Sequence, residues 1–202
     1  VHTLTHPNLT QLSDEEIIRQ VEDDRLHLSE LAGYEVTGMA YPCGGVNNDE
    51  RTAQVIREHT GIKYARTITS TYAFEPQEHL YRFHPTVYHV MEQDREILFR
   101  LAEEFVAAKP DSPRVFYIWG HSYEFDLDHS WERMEAFCEK AGGHADIWYA
   151  TNGEIKAYLD ALHSLTVGAR MDMIHNGSSL DVWVSVDGKP VRIGAGETRK
   201  FS

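Results

Sequence analysis

Apolar residues recur along this chain with two different periods, and the alternation between the two predicts its elements. Ser13 followed by Asp14, Glu15 and Glu16 reads as a helix N-cap with acids in the first turn. Ile17, Val21, Leu28 and Leu31 then share one helical face, and Gly33 ends the helix. A strand over 35–40 leads into Pro42-Cys43-Gly44-Gly45, a helix over 49–59 is stopped by Gly61, and a strand over 62–68 follows. Residues 70–92 have no clean period and read as loop and irregular strand. Ile97, Leu98, Leu101, Phe105 and Val106 give a helix closed by Lys109-Pro110. The run 114–119 suits a strand buried on both faces, with His121 at its end. Trp131, Met134, Phe137 and Cys138 mark another helix, 146–150 a strand, and Ile155, Tyr158, Leu159 and Leu162 a last helix.

Strands alternating with helices predict an α/β fold whose parallel strands include 35–40, 62–68, 114–119 and 146–150. From about Thr166 the pattern changes. Leu180, Val182, Val184 and Val186 alternate with polar residues, and Asp187-Gly188 makes a hairpin turn before Val191 and Ile193. The expected division is a main domain over 1–163 and a small antiparallel β appendage over 164–202.

Composition narrows the function classes. The 202 residues suffice for a core that needs no disulfide or metal staple. A net charge of −13, from 32 acids against 19 bases, repels phosphate backbones and anionic membranes, so neither nucleic acid nor membrane is an expected partner. Only Cys43 and Cys138 are present, in no C-x-x-C spacing, which favours a reducing compartment. The first residues lack the basic and apolar regions of a signal peptide, which slightly favours the cytoplasm but leaves the compartment open, since an absent start could carry such a signal.

Several residues could carry chemistry. His2 and His6 are four apart, so in a helical turn both rings would face one point and could share a divalent cation; the competing reading is two exposed histidines at a frayed end. His121 ends a strand, where polar residues of α/β sheets tend to be functional, or it is a hydrogen-bonded cap. Residues 81–89 are rich in aromatics and imidazoles, the groups that stack on sugars and bond hydroxyls, and His84 and His89 are candidates there; the alternative is a packed loop. Asn176-Gly177-Ser178 matches a glycosylation sequon but reads better as a turn, and Glu22, Asp23 and Asp24 read as solvated surface.

The wording and order of these motifs resemble the NodB-homology polysaccharide deacetylases. His2-Thr3-Leu4-Thr5-His6-Pro7 is similar to that family's metal motif. Tyr41-Pro42-Cys43-Gly44 resembles its groove-lining loop, and Trp119-Gly120-His121 its catalytic-histidine motif. The resemblance implies a distorted (β/α) barrel and a divalent metal, usually zinc, on His2, His6 and an Asp. Metal-bound water would attack the acetyl carbonyl of an amino sugar or acetylated polysaccharide, with an Asp as base and His121 as general acid. The Cys43 backbone N–H would contact the oxyanion, although the thiol itself suits a small buried hydrophobe. Tyr41, Pro42, Trp119, His84 and His89 would meet the carbohydrate, with Trp119 either core or the wall of an acetyl pocket. Arg66 could replace the family's loop arginine in orienting a carboxylate, or be a surface ion-pair partner. The family's Asp-Asp motif precedes its histidines by several tens of residues, and here only Val1 precedes His2. The expectation is therefore a barrel without its first strands, inactive alone and covering the exposed edge by forming homo-oligomers. The alternative reading is a non-catalytic carbohydrate-binding or structural domain.

Overall fold

The computed structural model describes residues 1–90 and 92–201, with 92–95 as backbone only, so Met91 of the 70–92 stretch falls outside the described residues. Two compact units divide the chain, 1–149 and 150–202.

In the first unit, α1 (Asp14–Ala32) starts on a reciprocal capping box between Ser13 and Glu16 and ends at Gly33, whose φ of 74° is left-handed. Its buried face is Ile17, Val21 and then Arg25, which Glu22 and Glu35 neutralise. Leu31, expected on that face, is 85 % exposed because the last turns run past the core. β1 (Gly38–Ala40), α2 (Glu50–His59) and β2 (Tyr64–Arg66) form a parallel βαβ unit with Ala40 opposite Arg66. Leu9, Ile17, Val21, Met39, Ile56 and Ile62 pack between these elements.

Phe83 extends the ladder through a parallel bridge to Arg66, and the same extended segment continues into β3 (Val87–Tyr88). The chain then crosses through α3 (Glu92–Ala107) to β4 (Ile118–Trp119), which is parallel to β3. α4 (Tyr123–Leu127) and α5 (Trp131–Ala141) follow. The result is mixed α/β with small parallel ladders, and among the described residues no barrel closes. Two expectations fail here. The run 114–119 is half-buried and pairs only at its last two residues. Residues 146–150, expected as a further parallel strand, form a loop in which Trp148 and Tyr149 are exposed.

In the second unit, α6 (Asn152–His163) is capped by a Thr151–Glu154 box. β5 (Leu165–Val167) and β6 (Met173–Asn176) are antiparallel, and β7 (Val182–Val186) turns into β8 (Lys189–Ile193) through Asp187 and Gly188. Both turn residues have positive φ, as a tight hairpin requires. β9 (Thr198–Lys200) completes the sheet on β6. Asn176 is buried, and its amide bonds the carbonyls of Leu180, Ile193 and Gly194, so it serves the turn. Among the described residues no helix is long and apolar enough to cross a membrane.

Candidate functional site

Parallel strands present their carboxyl ends on one side, and the candidate histidines fall into two groups there, His2 with His6 and His89 with His121, of which only the second lines a cleft. At the end of β1 the first residues of the chain pack alongside, with the Ala40 N–H donating to Val1 O at 3.0 Å. His2 Nδ1 lies 2.8 Å from Ala40 O. A carbonyl only accepts, so Nδ1 carries the proton and the Nε2 lone pair is free. The His6 ring stands 4.9 Å from the His2 ring, edge to face. This proximity does not come from a helical turn. Residues 1–7 are a bend, with Thr3 and His6 at φ of 71° and 59°, held because Gln20 of α1 bonds Thr5 twice and accepts from Leu4.

Burial is the main reason the His2 pKa lies below the ordinary imidazole value; the Ala40 bond opposes it, and the charges of His6 and Arg66 add to the lowering. Asp24, read as bare surface, instead accepts the His2 backbone N–H at 2.8 Å. Glu22 likewise is occupied, by Arg25 and the Gly61 N–H.

Cys43 follows with a left-handed φ of 67°, an unusual state for a residue with a Cβ. The buried Asn47 amide holds it there by donating to Pro42 O at 3.0 Å and Cys43 O at 2.8 Å. The half-buried Cys43 thiol donates to His6 O at 3.4 Å, with Sγ 3.8 Å from His6 Nδ1. Among the described residues the Cys43 N–H has no acceptor. Tyr41 and Pro42, expected to meet the carbohydrate, are both buried, Tyr41 being 1 % exposed with its hydroxyl donating to Tyr81 O.

The second group lies at the ends of β3 and β4. Trp119 stacks on Tyr88 with centroids 4.4 Å apart, and its indole Nε1 is buried without an acceptor among the described residues. His121, largely exposed, is anchored by Glu124, whose carboxylate takes the His121 backbone N–H at 2.8 Å and Nδ1 at 3.1 Å. That leaves the His121 Nε2 free to face a ligand. Tyr88 also donates its hydroxyl to Glu124. Burial pushes the Glu124 carboxyl up, but the bonds from Tyr88 and His121 outweigh it and the net shift is downward. Burial and the same carboxylate raise the Tyr88 pKa far above the usual phenol value.

His89 is buried, with Nε2 3.3 Å from Glu124 Oε2 but without the alignment of a hydrogen bond. Its ring lies over Gly120 so closely that a Cβ there would come within 1.8 Å of it. Burial lowers the His89 pKa more than Glu124 raises it. His84 is apart from both groups, pinned to Thr67 Oγ1 at 2.5 Å and to Gln77 through its backbone, so it packs the loop.

Arg66, at the end of β2, links the groups: its charge acts on His2, and its guanidinium sits 4.5 Å above the Trp119 ring. With His89, Trp119, Gly120, His121 and Ser122 it lines a cleft of about 380 Å³. The sequence did not single out Glu124, Tyr88 or Asn47. The signal for Glu124 was present in His121-Ser122-Tyr123-Glu124, a carboxylate three residues beyond a strand-end histidine.

His2 has the arrangement of a metal ligand, one ring N–H held by a carbonyl and the other nitrogen bare, and His6 is near enough to share a cation with it. Among the described residues no third His, Cys, Asp or Glu joins them. Residues 1–65 match the family model for polysaccharide deacetylase. No curated protein and no solved structure matches the chain.

Proposed function

We propose, taking as premise that residues 1–65 carry a polysaccharide deacetylase segment, that this domain hydrolyses acetyl groups on an amino sugar or acetylated polysaccharide. The observation that supports the reading best is the joining of His2 and His6, with the Ala40 carbonyl fixing the tautomer that leaves a ligating nitrogen free. His2 and His6 would hold a divalent cation, zinc by preference because two neutral imidazoles suit it. When bound, such a cation polarises the acetyl carbonyl and acidifies water beside it. The third ligand and the base are carboxylates that this reading takes from outside the described residues.

The chain's own groups divide the remaining work. The N–H of Cys43, a residue whose own carbonyl Asn47 holds, has no acceptor among the described residues and donates to the acetyl carbonyl oxygen as negative charge develops on it. His121 gives the proton on Nε2 to the departing amine or alkoxide, while Glu124 holds the ring and supplies the counter-charge of its doubly protonated form. Trp119 and Arg66 form the floor that keeps the substrate against His121.

The test is hydrolysis of an acetylated oligosaccharide by the zinc-loaded full-length protein. His121→Ala is expected to lower turnover by roughly 10² to 10⁴ and leave zinc content unchanged. His2→Ala and His6→Ala are expected to lose the zinc. Unchanged turnover in His121→Ala would sink the assignment. The lack of a third ligand among the described residues favours a second reading, in which the cleft holds carbohydrate without cutting it. Binding with no hydrolysis in the zinc-loaded protein would select that reading.

A further inference from the structure

Arg66 is a cation without a counter-ion. Among the described residues no carboxylate lies within ion-pair distance of it, although Arg25, Arg51, Arg82, Arg100, Arg114 and Arg192 each have one. In a chain with 32 acids and 19 bases an unpaired guanidinium is not a consequence of too few partners. It is also half-buried, and burial lowers its pKa by more than the neighbouring Tyr117 raises it, so its charge is held at a desolvation cost that no carboxylate among the described residues offsets. Among the described residues the only hydrogen bond of its side chain runs from Nη1 to the neighbouring Thr67 O at 3.2 Å.

The guanidinium carbon sits 4.5 Å from the Trp119 ring centroid, which places the cation in the lining of the cleft that His121 also lines. A planar fork of that kind matches an oxyanion through two parallel hydrogen bonds. The walls divide in character. Ser122 and Gly120 lie beside His121, while Phe125 and Met134 close the apolar side. A cavity of about 380 Å³ is on the small-ligand scale.

We infer that the carbohydrate taken by this cleft carries an oxyanion, a carboxylate or a phosphate, which binds the fork of Arg66 over Trp119 with the sugar reaching His121. The inference rests on the carbohydrate reading above and narrows it to acidic sugars. The anion supplies the missing counter-charge, and the net negative charge of the molecule disfavours anions at sites without such a cation.

Calorimetric titration of the full-length protein at low salt tests this with three probes. These are a neutral N-acetylated chito-oligosaccharide, an N-acetylated oligosaccharide of equal length with alternating uronate carboxylates, and N-acetylglucosamine 6-phosphate. At least one anionic probe is expected to bind tighter than the neutral one by about tenfold or more, and whichever it is identifies carboxylate or phosphate as the source. Arg66→Gln is expected to abolish that preference, read as the ratio of anionic to neutral affinity so that any loss common to all probes cancels; Arg66→Lys, which keeps the charge but not the fork, should retain part of it. Equal binding of neutral and anionic probes by the unaltered protein overturns the inference and leaves the carbohydrate reading standing. A preference that survives in Arg66→Gln also overturns it. Failure of all three probes to bind overturns both.

Discussion

Glu124 takes two bonds from His121 and one from Tyr88, so a single carboxylate sets both the orientation and the charge environment of the proposed acid. Glu124→Gln keeps the size but removes the charge. Turnover is expected to fall by less than the loss of His121 itself, about tenfold to a hundredfold, with zinc content unchanged. Unchanged turnover would reduce Glu124 to a structural cap. Gly120 presents the steric counterpart. The His89 ring that a Cβ at 120 would strike is itself packed on Phe125 at 4.6 Å, so relieving the clash must break that packing or move the backbone. Gly120→Ala is therefore expected to destabilise the protein by about 1–3 kcal/mol in urea unfolding. At this scale the sequence was informative about His2, His6 and His121, whose residue types and spacings have few other uses together. It was silent on Asn47 and on the pairing of Asp24 with His2, because those depend on which backbone groups happen to face them.

Among the elements, helices were the most legible, since both periodicity and caps mark them. Ser13 with Glu16 and Thr151 with Glu154 close reciprocal capping boxes in separate compact units. Ser13→Ala and Thr151→Ala are each expected to cost about 0.5–2 kcal/mol, checked by hydrogen exchange, with the loss confined to the unit that carries the change. Strands were harder to read. Ile147, Trp148, Tyr149 and Ala150 make an apolar run, but the Tyr149 hydroxyl bonds Ala141 O at 2.8 Å and takes the His144 N–H at 3.0 Å, tying the stretch down as a loop at the end of α5. A four-residue run cannot distinguish exposed aromatics from core ones. In 114–119 the ladder begins late because Val115 N bonds Phe74 O and Thr86 bonds Tyr117, contacts that belong to the irregular stretch the sequence left without a period.

For the molecule as a whole, three histidines of the first unit set an acid limit. Burial is the leading cause that holds the pKa values of His2, His84 and His89 below the ordinary value of 6.5. The unfolded chain then binds protons more readily than the folded one. The stability these rings confer is complete above about pH 6.5 and is lost as pH falls through their lowered folded values. Glu16, Glu22 and Glu124, lowered from 4.5, add a second loss only below that value. The Tm is expected to start falling between pH 6.5 and 5, ahead of the loss from Glu16, Glu22 and Glu124, and a flat Tm from pH 7.5 to 5 would refute the histidine argument. The sandwich of Trp119 between Tyr88 and Arg66 gives such experiments an internal lamp. Trp131, Trp148 and Trp183 are 49 %, 58 % and 53 % exposed, so a collisional quencher darkens those indoles first. What still glows reports on the ring beneath Arg66, and an incoming molecule that draws the guanidinium away changes the colour and brightness of that residual emission.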